Sequence, residues 1–379
     1  MSSNLCCRLR QIFQRRPTGT TSPTLSGNDH LEYLVDRFKK KSNSTNFRRN
    51  RLAYKIIVNR LARVHRFSSI HDILNHQKQY PDITDEHFVA RLICLYGESR
   101  MFDHALQLFD EMPDLNCPRS VLSFNTLLAA CIASKEFDKF GELFREIPRK
   151  LSIEPDIISY NTMIKAFCEV GSMDAAVSLL DEIEKNGIEP NLITFNILLG
   201  SFYKGDADNF SKAETFWSLM QEKEVVLDVR SYNSRLHGMM RQKRVSEALN
   251  VLKEMEERGL QPNHYSYNVM IKGFVDEGNL KEAKKWYASM IGNDYMPDFF
   301  THATLIPFAC SKNDVDFAHE LCIKSVDMKR PVSNGLMQKV ADALFEQSEA
   351  EKAKELLKLK DSKGRLPDGN SLPAGLVLG

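Results

Sequence analysis

The sequence lacks several features that would place it in common functional classes. No apolar run approaches the roughly 18 residues that a membrane-spanning helix needs, so we expect no membrane insertion. None of the eight cysteines forms a pair with CxxC spacing, so we expect reduced thiols and neither a disulfide framework nor a zinc site. The GxxxxGK, HExxH and GxSxG motifs of nucleotide-binding and hydrolytic enzymes are also missing.

The histidines do not supply a metal site either. His65, His71 and His76 lie close in sequence, but no two are four residues apart, and no cysteine or aspartate cluster completes a ligand set. We therefore predict no catalytic residues, no metal site and no cofactor.

The formal net charge of +1 conceals a basic head and an acidic body. Residues 1–66 hold 15 of the 51 lysines and arginines but only three of the 50 acids, which leaves 36 basic and 47 acidic residues beyond position 66. Cations that neutralise phosphates supply most of the nonspecific affinity for nucleic acids. The acidic body therefore limits the affinity expected for a free nucleic acid.

The first 28 residues have the composition of an organellar transit peptide. They contain Arg8, Arg10, Arg15 and Arg16, no acid, and many serines and threonines. Arginines interrupt the apolar residues too often for a secretory signal. We predict a mitochondrial location, with the chloroplast as the alternative; a basic tail without targeting function is the other interpretation. Residues 1–50 are assigned to a transit peptide and a basic disordered segment.

Self-similarity with a period of 35 residues dominates the rest of the chain. Residues 157–191 (IISYNTMIKAFCEVGSMDAAVSLLDEIEKNGIEPN) align with residues 229–263 (VRSYNSRLHGMMRQKRVSEALNVLKEMEERGLQPN). Extending the period in both directions gives units at 51–85, 86–120, 121–156, 157–191, 192–228, 229–263, 264–298 and 299–333, and a partial unit at 334–360. Residues 361–379 are predicted to be a flexible tail.

Each unit carries two apolar stripes at helical spacing, which predicts two helices per unit. A small residue that lets helices approach closely recurs in the second helix, at Ala105, Ala176, Ala213, Ala248, Ala283, Ala318 and Ala353. Gly187 and Gly259 are expected to end second helices with a positive φ. One hairpin cannot bury its own apolar faces, so the units must stack. We predict an all-α fold, a right-handed superhelical α-solenoid of about eight tandem helix-turn-helix repeats.

The unit has a specific residue pattern. It runs V-x-[ST]-[YF]-N-x-[LM]-[IL], then an alanine in the second helix, then G-[IL]-x-P-[DN]. This pattern resembles the pentatricopeptide-repeat (PPR) family of organellar RNA-binding proteins, in its plain P-type subclass, over residues 51–360. Tetratricopeptide units differ by a 34-residue period and a W…LG…Y pattern that is absent here. The resemblance implies a non-enzymatic protein that binds single-stranded RNA and reads one base per repeat.

In that family, the fifth and last residues of a unit read the base. Uracil presents an N3 donor and cytosine an N3 acceptor, so a carboxylate favours uracil and an amide can serve cytosine. The implied target is U, C or U, U, C or U, U. The pairs are Asn125 with Asp156, Asn161 with Asn191, Asn196 with Asp228, Asn233 with Asn263, and Asn268 with Asp298. Because helix interiors disfavour asparagine, we expect all five asparagines to line one open groove.

The second residue of each unit is implied to pack against a base. Aliphatic and aromatic side chains can sandwich bases and arginine can stack its guanidinium plane; ordinary core packing is the alternative for the apolar members. The positions are Leu122, Ile158, Ile193, Arg230, Tyr265 and Phe300.

The units at both ends depart from this pattern. The pairs Lys55 with Asp85, Ala90 with Ser120, and Ala303 with Ser333 assign no base. At the thirteenth position, where the family often places a lysine beside the phosphates, only Arg63, Lys204 and Arg241 are cationic among eight residues. Weak binding of free RNA is therefore expected.

Two functions remain open. The first is a sequence-selective binder of a pyrimidine-rich single strand in organellar transcripts, which acts in RNA processing, stability or translation and recruits RNA-processing proteins. The alternative is a structural component of the mitochondrial ribosome or another ribonucleoprotein, where ribosomal RNA and ribosomal proteins supply the contacts that an acidic array lacks. No motif in the sequence supports an enzymatic function such as that of a nuclease.

Overall fold

The chain folds into helices joined by short turns. The computed structural model describes residues 27–328 and 332–362. Those residues contain twenty α-helices, together with two 3-10 turns at His76–Gln79 and Pro81–Thr84. The chain divides into two compact units, Met1–Thr194 and Phe195–Gly379. Residues 1–26 of the predicted transit peptide and residues 363–379 of the predicted tail lie outside the described residues.

The described part of the amino-terminal unit contains ten complete helices. They are α1 (Gly27–Ser42), α2 (Thr45–Arg48), α3 (Arg51–Arg63), α4 (Phe67–Asn75), α5 (Glu86–Glu98), α6 (Phe102–Glu111), α7 (Val121–Ser134), α8 (Phe137–Leu151), α9 (Ile157–Glu169) and α10 (Met173–Lys185). The next helix, α11 (Leu192–Phe202), contains the division between the two units.

The described part of the carboxyl-terminal unit continues with helices in tandem pairs. They are α12 (Ala207–Glu222), α13 (Val229–Arg241), α14 (Val245–Glu257), α15 (His264–Asp276), α16 (Leu280–Gly292), α17 (Phe299–Ser311), α18 (Val315–Asp327), α19 (Asn334–Glu346) and α20 (Ala350–Ser362).

Capping side chains fix where most first helices begin. A capping box, in which the cap side chain and the serine or threonine three residues later exchange hydrogen bonds with each other's backbone, opens five of them. The caps are Ser120, Asp156, Asp228, Asn263 and Asp298. Because each box sets the same starting register, the second and fifth residues of these repeats recur at equivalent places.

The second helices end and pack as the sequence predicts. Gly187 and Gly259, with φ of +72° and +75°, follow the ends of α10 and α14. The recurrent alanines of the second helices are buried, with no more than 1% of their surface exposed. They are Ala105 and Ala176 in the amino-terminal compact unit, and Ala213, Ala248, Ala283, Ala318 and Ala353 in the carboxyl-terminal compact unit. The predicted two helices per unit and their close packing are therefore present.

Residues 27–42 and 45–48 are helical, so the prediction of disorder up to residue 50 is wrong for them. Leu34, Val35 and Phe38 of α1 are buried, and the ring of Phe38 meets that of Tyr54 edge-on at a centroid distance of 4.8 Å. The many basic residues of this segment conceal an apolar helical stripe. That stripe covers the apolar face of the first repeat, which terminal elements of repeat arrays must do.

Gly97 allows α5 to approach α7 closely. A Cβ at Gly97 would lie 2.5 Å from the Cα of Ala130. We expect Gly97→Ala to lower the free energy of unfolding by about 1–3 kcal/mol, because the helices must separate. Gly141→Ala is the control: its Cβ meets nothing within 4 Å, and alanine should stabilise this exposed helical site by about 0.5–1 kcal/mol. Urea denaturation compares the variants, and equal stability would contradict the close approach.

The described residues contain neither a membrane-spanning helix nor a metal-binding group of side chains. No helix among them is long and apolar enough to cross a membrane. Within the same ranges, no group of three or more histidines, cysteines or acids could hold a metal ion. Cys117, Cys131 and Cys322 are buried free thiols, whereas Cys94 is exposed.

Candidate nucleic-acid interface

The second residues of the repeats are largely exposed; we call Leu122, Ile158, Ile193, Arg230, Tyr265 and Phe300 the exposed column. The exposed fractions of Ile158, Ile193, Tyr265 and Phe300 are 57%, 56%, 53% and 50%. Arg230 is also exposed, and Leu122 is half-buried. Core packing therefore does not explain Ile158, Ile193, Tyr265 or Phe300. Large apolar side chains that recur at one exposed repeat position indicate a binding surface in each of the two compact units.

The asparagines at the fifth position do not line an open groove, and that expectation is wrong. Asn125, Asn161, Asn233 and Asn268 are only 4–8% exposed, and Asn196 is half-buried. Asparagine is disfavoured inside helices because its side chain competes for backbone hydrogen bonds. The structure supplies a packing role, because four of these side chains join one first helix to the cap of the next.

Asn268 illustrates the arrangement. Its Nδ2 donates to Asp298 Oδ1 at 3.4 Å, and its Oδ1 accepts a hydrogen bond from Thr301 Oγ1 at 2.8 Å. Similar pairs of bonds are made by Asn125 with Asp156 (2.9 Å) and Ser159 (2.5 Å), Asn196 with Asp228 (3.1 Å) and Ser231 (2.7 Å), and Asn233 with Asn263 (3.3 Å) and Ser266 (2.6 Å). We call Asn125, Asn196, Asn233 and Asn268 the bridging asparagines. They satisfy buried polar groups between consecutive repeats.

The capping aspartates keep one carboxylate oxygen outside this network. At Asp156, Asp228 and Asp298, the structural hydrogen bonds all end on Oδ1. Among the described residues no hydrogen bond reaches Oδ2 of Asp156 or Asp228, and Asp298 Oδ2 lies 3.6 Å from His264 Nε2. Oδ2 of Asp156 and of Asp228 is therefore a free acceptor, whereas Oδ2 of Asp298 faces the His264 imidazole. An acceptor at this position suits the N3 donor of uracil.

Asn263 presents the opposite polarity. Its Oδ1 accepts from the backbone of Tyr265 and Ser266 and from the side chains of Ser266 and Asn233. Its Nδ2 has no protein partner among the described residues and remains a donor. A donor suits the N3 acceptor of cytosine. The capping residue, rather than the asparagine at the fifth position, thus carries the polar atom that lacks a protein hydrogen bond among the described residues.

The pair Asn161 and Asn191 is not joined. The buried Oδ1 of Asn161 has no hydrogen-bond partner in the described part of the chain. Asn191 is exposed, and its Oδ1 accepts from the backbone and hydroxyl of Thr194 at 3.1 and 3.2 Å. Asn191 therefore caps its helix without a bridge.

Local hydrogen bonds keep two capping carboxylates ionised. Burial opposes ionisation of Asp228, but donors on Ser231, Asn196 and the backbone outweigh it and lower the pKa of this carboxyl. At Asp298 burial is again outweighed, chiefly by Thr301, and the pKa is lowered. Both groups are therefore negatively charged acceptors at neutral pH.

Glu86 has a role that the sequence analysis missed. Its Oε1 accepts from the backbone of Ser120 at 2.8 Å and of Ser123 at 3.1 Å, and from the Ser120 hydroxyl at 2.9 Å. These donors outweigh burial and lower the pKa of Glu86. The sequence feature that points to this role of Glu86 is Ala90, the fifth residue of its repeat. Alanine has no amide that could bridge to Ser120, the next cap. In the preceding unit Lys55 pairs with Glu98 at 2.9 Å, so neither of these units presents a bridged asparagine.

Comparison with known proteins identifies the repeat. The model described as PPR repeat family matches residues 119–168, 155–204 and 227–276, and the PPR repeat model matches residues 91–117 and 265–295. The small ribosomal subunit protein mL103 (rPPR7) of Arabidopsis thaliana is 35% identical over 312 residues, which are 82% of this chain and 74% of that protein. This chain belongs to the PPR repeat family.

This PPR chain is also similar to a second sequence and to a solved structure. A mitochondrial pentatricopeptide repeat-containing protein of Arabidopsis thaliana is 38% identical over 272 residues, 71% of this chain and 63% of that protein. The crystal structure of PPR10 from maize has a TM-score of 0.51 at 17% identity, over 96% of this chain and 54% of that chain. This PPR chain thus spans about half of the maize structure, and the likeness shows a superhelical fold of paired helices. Family membership confirms the resemblance and the non-enzymatic class.

Proposed function

We propose that this PPR chain is a component of the small subunit of the mitochondrial ribosome, where it holds a pyrimidine-rich single strand of RNA. The observation that carries the proposal is its 35% identity to a small ribosomal subunit protein, over 74% of that protein's length. A free transcript-binding protein that acts in RNA processing, stability or translation is the second candidate. The free cap atoms favour RNA contact in both cases.

The exposed column and the caps suit a stacked strand. Asn268 lies one helical turn after Tyr265 and donates to Asp298, and Phe300 follows Asp298 by two residues. A base that stacks against Tyr265 and Phe300 would therefore lie near Asp298 Oδ2. Applied to repeats three to seven, the caps Asp156, Asn191, Asp228, Asn263 and Asp298 imply UCUCU, with uracil as the alternative at both asparagines.

The distribution of charge favours the ribosomal role. Beyond residue 66, acids outnumber lysines and arginines. At the thirteenth position of the repeats, the cation Arg241 donates to the backbone carbonyl of Lys204. In three other repeats the thirteenth residue is an acid, namely Glu98, Glu169 and Asp276. An array with few phosphate contacts binds free RNA weakly. Ribosomal RNA and ribosomal proteins around the chain would supply the missing affinity.

Sedimentation tests this proposal against the second candidate. The tagged full chain is expressed in cells, and mitochondrial lysates are separated on gradients before and after nuclease treatment that digests messenger RNA. We expect the chain to stay with the small ribosomal subunit in both cases. A shift to light fractions after digestion would support the free transcript-binding protein instead.

Asp298→Asn should change base preference without changing stability. Asparagine caps helices about as well as aspartate, and Asn263 does so in this chain. Exchanging this carboxylate acceptor for an amide donor should shift preference at the last of the five bases from uracil toward cytosine by about fivefold, the worth of one hydrogen bond. Competition binding with UCUCU and UCUCC oligonucleotides measures the shift. Asp314→Asn, at a cap on the second helix α18, should leave the preference unchanged; equal shifts would refute the assignment.

The proposed location is the mitochondrion, with the chloroplast as the alternative. The arginine-rich, acid-free first 28 residues support an organellar address, and a relative named as mitochondrial is 38% identical. Imaging the full chain with a carboxyl-terminal fluorescent protein distinguishes the two organelles. Signal confined to chloroplasts or to the cytosol would overturn this assignment.

A further inference from the structure

An arginine-lined pocket lies at the amino-terminal end of the array, outside the repeats that are assigned a base. We call it the arginine pocket; it has a volume of about 450 Å³. The residues that matter for its chemistry are Arg48, Arg49, Arg51, His87, Arg91 and the acids Asp82 and Asp85. It lies wholly within the amino-terminal unit.

Arg48 forms the fixed wall of the pocket. Its side chain is 6% exposed, and its Nε and Nη2 donate to Asp82 Oδ2 at 2.8 and 2.6 Å. Its Nη1 donates to the carbonyl of Ser42 at 2.8 Å, and its guanidinium lies 4.6 Å from the ring centroid of Tyr80. Asp82 therefore neutralises Arg48, and this pair leaves little net charge.

Arg91 is held in place yet not fully satisfied. Its guanidinium lies 4.6 Å from the ring centroid of Tyr54 and 4.7 Å from that of Phe88, and Nη2 donates to the carbonyl of Arg48 at 2.6 Å. Its Nε is buried and has no hydrogen-bond partner among the described residues. An unsatisfied buried donor on a cation suits an anionic ligand.

Two exposed arginines complete the pocket. Arg49 and Arg51 make no side-chain hydrogen bond or ion pair in the described part of the chain. With Arg48 balanced by Asp82, the three remaining arginines face one acid, Asp85, whose Oδ1 is occupied by the backbone N–H of His87 at 3.0 Å. The pocket therefore keeps a positive balance, whereas the array beyond residue 66 is acidic overall.

The position of the pocket links it to the RNA-binding surface. His87 is exposed and is the second residue of its repeat, the position that the exposed column occupies in later repeats. We propose that the arginine pocket binds a backbone phosphate of the same RNA strand, beside the repeats that read no base. This inference rests on the proposed RNA-binding function. Arginine suits such a contact because its planar fork can donate two hydrogen bonds to one phosphate.

Salt dependence of binding tests the inference with the full chain. Arg49→Gln with Arg51→Gln is compared with Lys253→Gln and Lys285→Gln, which removes two charges from exposed side chains on second helices. The probe is an RNA of twelve nucleotides that contains UCUCU. Loss of this one phosphate contact should lower the slope of log Kd against log salt by about 0.7, which weakens binding about fivefold at 0.1 M salt. The lysine control should keep the wild-type slope.

A chemically matched probe localises the contact. Methylphosphonate linkages, which are uncharged, replace the phosphates on one side of UCUCU and then on the other. One placement should weaken binding to the wild type, and the Arg49→Gln, Arg51→Gln variant should be insensitive to it.

Three outcomes separate the pocket from the proposed function. An unchanged slope with retained preference for UCUCU over its purine counterpart would overturn the pocket alone. An unchanged slope with loss of co-sedimentation with the ribosomal subunit would mean that the pocket binds an acidic protein segment, which also overturns the inference. No preference for UCUCU in the wild type would refute the proposed base reading, whatever the slopes.

Discussion

Replacing Tyr265 and Phe300 together with alanine is expected to weaken RNA binding by about 2–6 kcal/mol, because stacking on an aromatic side chain contributes about 1–3 kcal/mol per base. This corresponds to a loss of at least about 30-fold in Kd. Both rings are half exposed, at 53% and 50%, so their truncation removes little core packing. The thermal unfolding midpoint should therefore stay near the wild-type value.

The chain offers a matched control for this variant. Tyr33 and Phe67 are another tyrosine and phenylalanine with 45% and 40% of their surface exposed, and they lie outside the exposed column. Tyr33→Ala with Phe67→Ala should leave Kd for a UCUCU oligonucleotide unchanged. Equal losses of affinity in the two double variants would mean that binding follows general aromatic exposure rather than this surface.

The double variant Asn233→Ala, Asn268→Ala is expected to lower the free energy of unfolding by about 2–4 kcal/mol, because each buried bridge leaves polar partners unsatisfied when its amide is removed. Asn233 accepts from Ser266 at 2.6 Å, and Asn268 accepts from Thr301 at 2.8 Å. Denaturant unfolding measures the loss. Because neighbouring repeats stabilise each other, this loss of stability should appear as unfolding of the carboxyl-terminal unit at a lower denaturant concentration.

Asn161 provides the internal comparison for this experiment. It is also buried, but its Oδ1 has no hydrogen-bond partner in the described residues. Asn161→Ala should therefore cost less stability than either Asn233→Ala or Asn268→Ala. If the double variant unfolds like the wild type and loses RNA binding, the asparagines act on RNA and not as bridges.

The repeat architecture was predictable because its signals are local. The 35-residue period, the buried alanines and the positive φ at Gly187 and Gly259 follow from residue type and spacing alone. Each signal concerns one helix or one turn. Repetition of the same signal in successive units made the fold class clear.

The asparagine error shows what spacing cannot reveal. Recurrence of Asn125 to Asn268 at the fifth position indicated a shared role, but not whether that role faces solvent. The deciding contact, with a serine or threonine of the next repeat, joins residues that are 33 to 35 positions apart. Such a contact depends on how two hairpins stack. Residue type and spacing likewise do not reveal that Oδ1 of each capping aspartate is committed to capping.

The amino-terminal segment was misjudged because composition outweighed pattern. Basic residues are frequent enough before position 51 to favour a transit peptide and a basic disordered segment. The apolar stripe of Leu34, Val35 and Phe38 packs on the first repeat and overrides that composition. The same packing, through Arg48 and Arg91, builds the arginine pocket.

Photo-crosslinking in isolated mitochondria, with both the peptide and the RNA identified by sequencing, tests the central claim most directly. We expect crosslinks from α15 and α17, at Tyr265 and Phe300, to a pyrimidine-rich segment of the RNA of the small ribosomal subunit. Crosslinks confined to the second helices, or an absence of crosslinks to ribosomal RNA while the chain remains bound to the subunit, would contradict it.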